Sequence, residues 1–217
     1  MEKNIYFIRH FESEHNVARK VGTPGSMVRF TLGGVQDKDV LLTDAGIVSA
    51  NARRSTLEKE MPKPDMVISS GFKRTLQTAN LLFPDQDIWV DNNFVERDAG
   101  DFFYLSKTEI RARYPEYIKS IKKHKYDMQY PNGESVNSVI ARVSDSLHWL
   151  GNTKLKNIAI VSHGETIRIC SYILNRQKNE GYNHYVANMG RNHIKNGQMI
   201  SFTIDDSLTK KLKINRM

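Results

Sequence analysis

Four short stretches of this chain carry side chains suited to chemistry on an anion. They are Arg9-His10-Phe11-Glu12-Ser13-Glu14-His15-Asn16, Ser69-Ser70-Gly71-Phe72-Lys73-Arg74-Thr75-Leu76-Gln77-Thr78, Glu96-Arg97-Asp98-Ala99-Gly100 and Ser162-His163-Gly164-Glu165-Thr166-Ile167-Arg168. Each alone has an ordinary explanation. An Arg-His pair at a strand end is usually a surface feature, Arg74 could be solvated, Glu96 could be a surface acid, and His163 before a glycine could be a turn residue. Together they suit phosphoryl transfer, where charge spreads over the equatorial oxygens and the protein mainly positions and neutralises it. Arg9 and Arg74 offer planar paired donors that match phosphate. A neutral imidazole is a competent nucleophile, and a second, protonated imidazole can donate to a phosphate oxygen. A carboxylic acid near the leaving oxygen supplies the proton that an alkoxide needs. No metal or other cofactor is required, and His10 and His15 lack the i, i+4 spacing of a helical metal site.

The coincidence gains force from the elements that must position these residues. Ile5–Ile8, Met66–Ser69, Ile88–Val90, Ile158–Val161 and Met199–Ile204 read as short apolar strands. Three of the four stretches begin at the carboxyl ends of separate predicted strands, and on a parallel sheet those ends converge on one crevice. Ser70 is expected to cap a helix running through Phe83, with Phe72, Leu76, Ala79 and Phe83 on one face. Val136, Val139, Ile140, Val143, Leu147 and Leu150 form a second helical stripe, with Gly151 as the stop. Thr43 is expected to cap a helix ending before Pro62, and another helix follows His163. Alternating strands and helices predict an α/β three-layer sandwich, a mostly parallel central sheet with helices on both faces. Two stretches break the alternation. The glycine-rich segment 20–40 reads as a long loop over the crevice. Asp98 to Gly133, with Phe102, Phe103, Tyr104, Tyr114, Tyr117, Tyr126 and Tyr130, reads as a helical excursion.

Composition narrows the class. A chain of 217 residues, 39% hydrophobic and 26% charged, fits a single domain over residues 1–217. No apolar run approaches the roughly 20 residues that span a bilayer, and no secretory h-region opens the chain. The lone Cys170 excludes an intramolecular disulfide and a thiolate metal cluster, so a cytoplasmic protein is expected. The net charge of +8 favours anionic partners. Its clusters at Lys119, Lys122, Lys123 and Lys125, and at Lys210, Lys211, Lys213 and Arg216, read as solvated faces or loose ends. No recognition helix, RNP pattern or zinc finger supports nucleic-acid binding.

Arg9-His10-x-Glu12 with Asn16, Arg74-Thr75-x-Gln77-Thr78, Glu96 with Gly100, and His163-Gly164 resemble the histidine phosphatase superfamily, also called the phosphoglycerate mutase-like family. Leu42-Thr43-x-x-Gly46, Pro131-x-Gly133-Glu134-Ser135 and Ile167-Arg168 match as well, so the likeness spans about Ile5 to Ile204. The resemblance implies a phosphohistidine intermediate on His10. It implies a phosphate pocket of Arg9, Arg74 and His163, with Asn16 and Gly164 also binding substrate, and Glu96 as proton donor and acceptor. Asp98 is a rival acid, but spacing to Gly100 favours Glu96.

Some positions depart from the family pattern. Phe11 stands where glycine usually follows the nucleophile, His15 where a small residue is common, and Ala99 where an aromatic often precedes the glycine, an opening that would admit a larger leaving group. Segment 20–40, with Lys20, Arg29 and Lys38 against Asp37 and Asp39, is expected to form a positive rim that attracts polyanions. The reading is a phosphomonoesterase acting on a small phosphorylated substrate, with a homodimer compatible. The 66 residues between Glu96 and His163 are short for the alternative, a cofactor-dependent phosphoglycerate mutase. A non-catalytic phosphate-binding module is the third reading, disfavoured because both histidines, both arginines and an acid are present.

Overall fold

The computed structural model describes residues 2–20, 32–124, 129–175 and 194–204. All five expected strands form: β1 (Lys3–Arg9), β2 (Met66–Ser69), β3 (Ile88–Val90), β4 (Asn157–Ser162) and β5 (Met199–Ile204). They make one sheet in the order β3-β2-β4-β1-β5. The pairs β2–β3, β2–β4 and β1–β4 are parallel, and β5 runs antiparallel to β1. Register is fixed by two-sided burial. Ile5 and Phe7 turn to one face, Tyr6 and Ile8 to the other, so a one-residue slip would exchange the two sets.

Helices cover both faces. In chain order they are α1 (Glu14–Lys20), α2 (Asp44–Glu60), α3 (Lys73–Leu82), α4 (Lys107–Arg113), α5 (Pro115–His124), α6 (Val136–Asn152) and α7 (Gly164–Leu174). On one face α6 and α7 pack Val136, Val139, Val143, Leu147, Leu150, Ile167 and Ile173 onto Ile5, Phe7, Ile68, Ile158 and Ile160. Fully burying such a side chain contributes on the order of 1.5–3 kcal/mol. On the other face α2 and α3 set Ala50, Leu57, Ala79 and Leu82 against Tyr6, Ile8, Val67, Ala159 and Val161. The three-layer sandwich expected from the alternation is therefore the architecture, and α4 and α5 form the excursion expected within Asp98 to Gly133.

Local boundaries differ in instructive ways. Thr43 caps α2 as expected, its hydroxyl accepting from Gly46 N at 3.0 Å. Ser70 is not a cap: α3 starts at Lys73, after Phe72, because the Ser70 hydroxyl is engaged elsewhere. The buried face of α3 is also more polar than expected, with Arg74, Thr75 and Thr78 enclosed, since its first turns face the crevice rather than the apolar core. Gly151 does not stop α6. The helix continues to Asn152 and closes where the Thr153 hydroxyl and amide donate to Leu150 O. Helix α1, which begins within the first motif, is an element the hydrophobic pattern does not announce. Residues 21–31, Lys125, Tyr126 and the basic tail lie outside the described residues.

Candidate active site

Strand order brings the motifs together. Because β4 lies between β2 and β1, the residues following these strands, Ser70, His163 and His10, stand side by side at one sheet edge. The backbone continues the pairing past the strands: His10 N donates to Ser162 O at 3.0 Å and Ser70 N to Val161 O at 3.1 Å. The rings of His10 and His163 meet edge to face, with centroids 5.2 Å apart. Both are buried.

Their hydrogen bonds set the position of each proton. His10 Nδ1 lies 2.6 Å from Phe11 O, and a carbonyl can only accept, so Nδ1 carries the hydrogen and Nε2 of the neutral ring is bare. Burial, then the Arg74 and Arg9 guanidiniums, hold His10 well below its ordinary imidazole range. It is therefore neutral, with Nε2 available as a nucleophile. His163 is arranged the other way round. Its Nε2 lies 2.7 Å from Ser70 Oγ, which lies 2.7 Å from Thr75 Oγ1, which in turn reaches Phe72 O at 2.7 Å. A consistent run of donors ends on that carbonyl and begins with Nε2–H of His163. Nδ1 of His163 is buried and has no hydrogen-bond partner among the described residues. Burial and Arg74, with His10 and Arg9, keep this ring neutral too.

The cations and the acid surround this pair. Arg9 donates through one terminal nitrogen to Ile194 O at 2.6 Å, while its buried Nε has no partner among the described residues. Gly164, which opens α7, lies so close that a Cβ there would sit 3.3 Å from Arg9 Nε. Arg74 is 3% exposed and reaches across to segment 32–40, donating to Asp37 O at 2.6 Å and Asp37 Oδ1 at 2.7 Å. Glu96 sits on the N-terminus of α7. Its carboxylate accepts from Thr166 N and Thr166 Oγ1, both at 3.1 Å, and more weakly from Glu165 N at 3.4 Å. It also opposes the lowering of the Arg9 pKa that burial causes. Asp98, the rival acid, is exposed and folded onto its own turn, where Oδ1 accepts from Gly100 N at 2.8 Å.

Other motif residues tie neighbouring elements together. Gln77 Oε1 accepts from Leu42 N at 2.8 Å and Thr78 Oγ1 from Phe11 N at 3.3 Å, tying α3 to two loops. Asn16 Oδ1 accepts from Ser13 N, Ser13 Oγ and Asn196 Nδ2, so the side chain's donor is its Nδ2. Asn196 Nδ2 also reaches His10 O at 2.9 Å and Phe11 O at 3.1 Å, clamping the first motif from the segment before β5. The bulky Phe11 is accommodated by Gly197: at φ +71° it lies flat on the ring, where any Cβ would overlap it. Ala99 packs against an apolar cluster with Phe103, Leu32 and Val40. Segment 32–40 meets the site through its acids rather than its cations: Asp37 holds Arg74, Asp39 pairs with Lys73 Nζ at 3.0 Å, and Lys38 is exposed. Asp37, Asn196 and the Ser70 relay are the parts that motif spacing missed. Their partners lie far away in the chain, and no periodic signal marks them.

Fold and site thus define an α/β protein whose sheet edge gathers two buried histidines, two arginines and a glutamate. The model of the histidine phosphatase superfamily, branch 1, matches residues 5–199, and the chain belongs to that family. It is 30% identical over 179 residues to 6-phosphofructo-2-kinase/fructose-2,6-bisphosphatase 3 of Rattus norvegicus, covering 82% of this chain but only 29% of that protein. It is also 30% identical over 177 residues to the 2,3-bisphosphoglycerate-dependent phosphoglycerate mutase of Methylobacterium sp. (strain 4-46), covering 79% of this chain and 76% of that one. Among solved structures, mycobacterial hydrolase 1 superposes with a TM-score of 0.74 at 20% identity, covering 95% of this chain and 94% of the other, a likeness of fold. Among the described residues, no helix is long and apolar enough to cross a membrane.

Proposed function

We propose that this protein is a phosphomonoester hydrolase working through a phosphohistidine on His10, as a metal-independent single-domain enzyme of the cytoplasm. The observation that carries the reading is the 2.6 Å bond from His10 Nδ1 to Phe11 O, which leaves a bare Nε2 beside two guanidiniums. In this reading Arg9, Arg74, Asn16 and the Gly164 amide hold the phosphoryl oxygens. The unpartnered Nδ1 of His163 takes up a proton as the dianion arrives and donates to it. His10 Nε2 attacks phosphorus and the P–O bond breaks, while Glu96 protonates the departing oxygen. Water then attacks the phosphohistidine, returning its proton to Glu96, and inorganic phosphate leaves.

Rapid quench with a labelled phosphomonoester should trap an acid-labile, alkali-stable phosphoenzyme, and His10→Ala should abolish both label and turnover. Normal turnover by that variant would overturn the mechanism. The likeness to the Methylobacterium mutase supports a second reading, a mutase-type phosphotransferase. Phosphate release should outrun interconversion of 2- and 3-phosphoglycerate, with or without a bisphosphorylated primer; the reverse order would favour the mutase.

A further inference from the structure

Asp37 has no part in the chemistry above, yet it occupies the arginine that holds the phosphoryl group. Arg74 is 3% exposed and the Asp37 side chain 24%, so the carboxylate is the more accessible member of the pair. It is not a stray loop residue. The turn Asp37–Asp39 is anchored twice on the start of α3, by Asp37 on Arg74 and Asp39 on Lys73. Glu96 and Asp98 act on Asp37 as neighbouring like charges. Burial raises the Asp37 carboxyl above its ordinary value, and Arg74 pulls it back. Two cations near the site, Arg97 and Arg142, are engaged with acids, while Arg168 acts on Arg9 and Glu165 as a neighbouring charge and its buried Nε has no partner among the described residues. Arg97 bonds Glu165 at 3.2 Å and lies over the Tyr130 ring, and Arg142 bonds Glu134 at 2.9 Å. Lys38, between the two aspartates, is exposed, where solvent and salt screen it.

We propose that Asp37 determines which leaving groups the site accepts. Its carboxylate, fixed on Arg74 at 2.7 Å, admits leaving groups that are uncharged or cationic and rich in hydroxyl or ammonium donors, and rejects those carrying a second phosphate or a carboxylate. The substrate class is then a phosphorylated polyol, sugar or amino alcohol. This rests on the phosphatase reading, and it replaces the polyanion preference expected from the composition of segment 20–40. Discrimination arises by repulsion as much as by attraction: a like charge several ångströms away in a partly buried site is worth about tenfold or more.

The test is Asp37→Asn, which keeps an acceptor for Arg74 and the main-chain bond and removes only the charge. The kcat/KM values for glycerol 3-phosphate and 3-phosphoglycerate, two esters of similar size, give the selectivity. The wild type should favour glycerol 3-phosphate, and the ratio should fall about tenfold in Asp37→Asn. Inorganic phosphate should also inhibit the variant at lower concentration, because a competing anion on Arg74 has gone. An unchanged ratio overturns the proposal. So does a parallel loss on both esters with weaker phosphate inhibition, which would mark Asp37 as a support for Arg74. Equilibrium binding of the two esters to His10→Ala, with and without Asp37→Asn, gives the same ratio without turnover. A wild type that binds with the expected selectivity but hydrolyses neither ester nor p-nitrophenyl phosphate would refute the phosphatase reading alone.

Discussion

Replacing Ser70 by alanine should weaken phosphate binding by an amount that the hydrogen-bond relay sets. The Ser70 hydroxyl lies 2.7 Å from Nε2 of His163, a ring with no exposed surface. No solvent can substitute for the lost acceptor. In the free enzyme the ring is neutral, and a buried donor left unmet costs about 1–3 kcal/mol of stability. In the proposed mechanism the ring carries a proton once phosphate is bound, and hydrogen bonds to charged groups contribute about 1.5–3 kcal/mol against about 0.5–1.5 for neutral ones. The difference, about 1–1.5 kcal/mol, falls on the bound state alone and corresponds to about 5- to 13-fold in affinity. Urea unfolding should therefore report lower stability. Competitive inhibition of p-nitrophenyl phosphate hydrolysis by inorganic phosphate should report a Ki about 5- to 13-fold higher, with kcat/KM falling at least as far. A variant that loses stability but keeps its Ki within twofold would refute the idea that His163 gains a proton through this relay.

Glu96→Gln should slow alkyl phosphates by about 10²–10⁴-fold and aryl phosphates with acidic leaving groups far less. Equal loss on both substrate types, measured as kcat, would remove Glu96 as the general acid and make Asp98→Asn the next variant to test. Stability should depend on pH below about 6.5, because the unfolded histidines take up protons that buried His10 and His163 do not. Stability is then full above the unfolded value and falls with pH toward the lowered folded values, by up to about 2.7 kcal/mol per pH unit for the two rings. His163→Asn should halve the slope in urea titrations, and saturating phosphate should flatten it. Gly197→Ala should destabilise by about 2–4 kcal/mol, through the left-handed backbone and the overlap with Phe11. Adding Phe11→Ala should recover part of that loss in a double-mutant cycle, whereas simple additivity would show that the ring contact is irrelevant.

The sequence by itself determined the features that depend on near neighbours. Five strands are legible as short apolar runs, α2 and α6 as capped or striped helices, and two histidines as residues placed where strands end. His10, Arg74, Glu96 and His163 could be singled out because each sits in a compact motif of suggestive types. Misreadings arose where a local signal had a distant partner. Ser70 has the residue type and position of a helix cap, yet its hydroxyl serves His163, 93 positions away. Periodicity weighs apolar residues and so does not announce the polar face of α3, where Arg74, Thr75 and Thr78 are buried.

Tertiary structure alone decided which strand ends are neighbours. Inserting β4 between β1 and β2 sets the spacing of the two imidazoles and supplies the desolvation that keeps both neutral. It also brought Asp37 onto Arg74 from 37 positions away and Asn196 onto His10 from 186. Such contacts have no sequence period. They are set by strand order and loop closure, and their strength comes from the exclusion of water, which exists only once both sheet faces are covered.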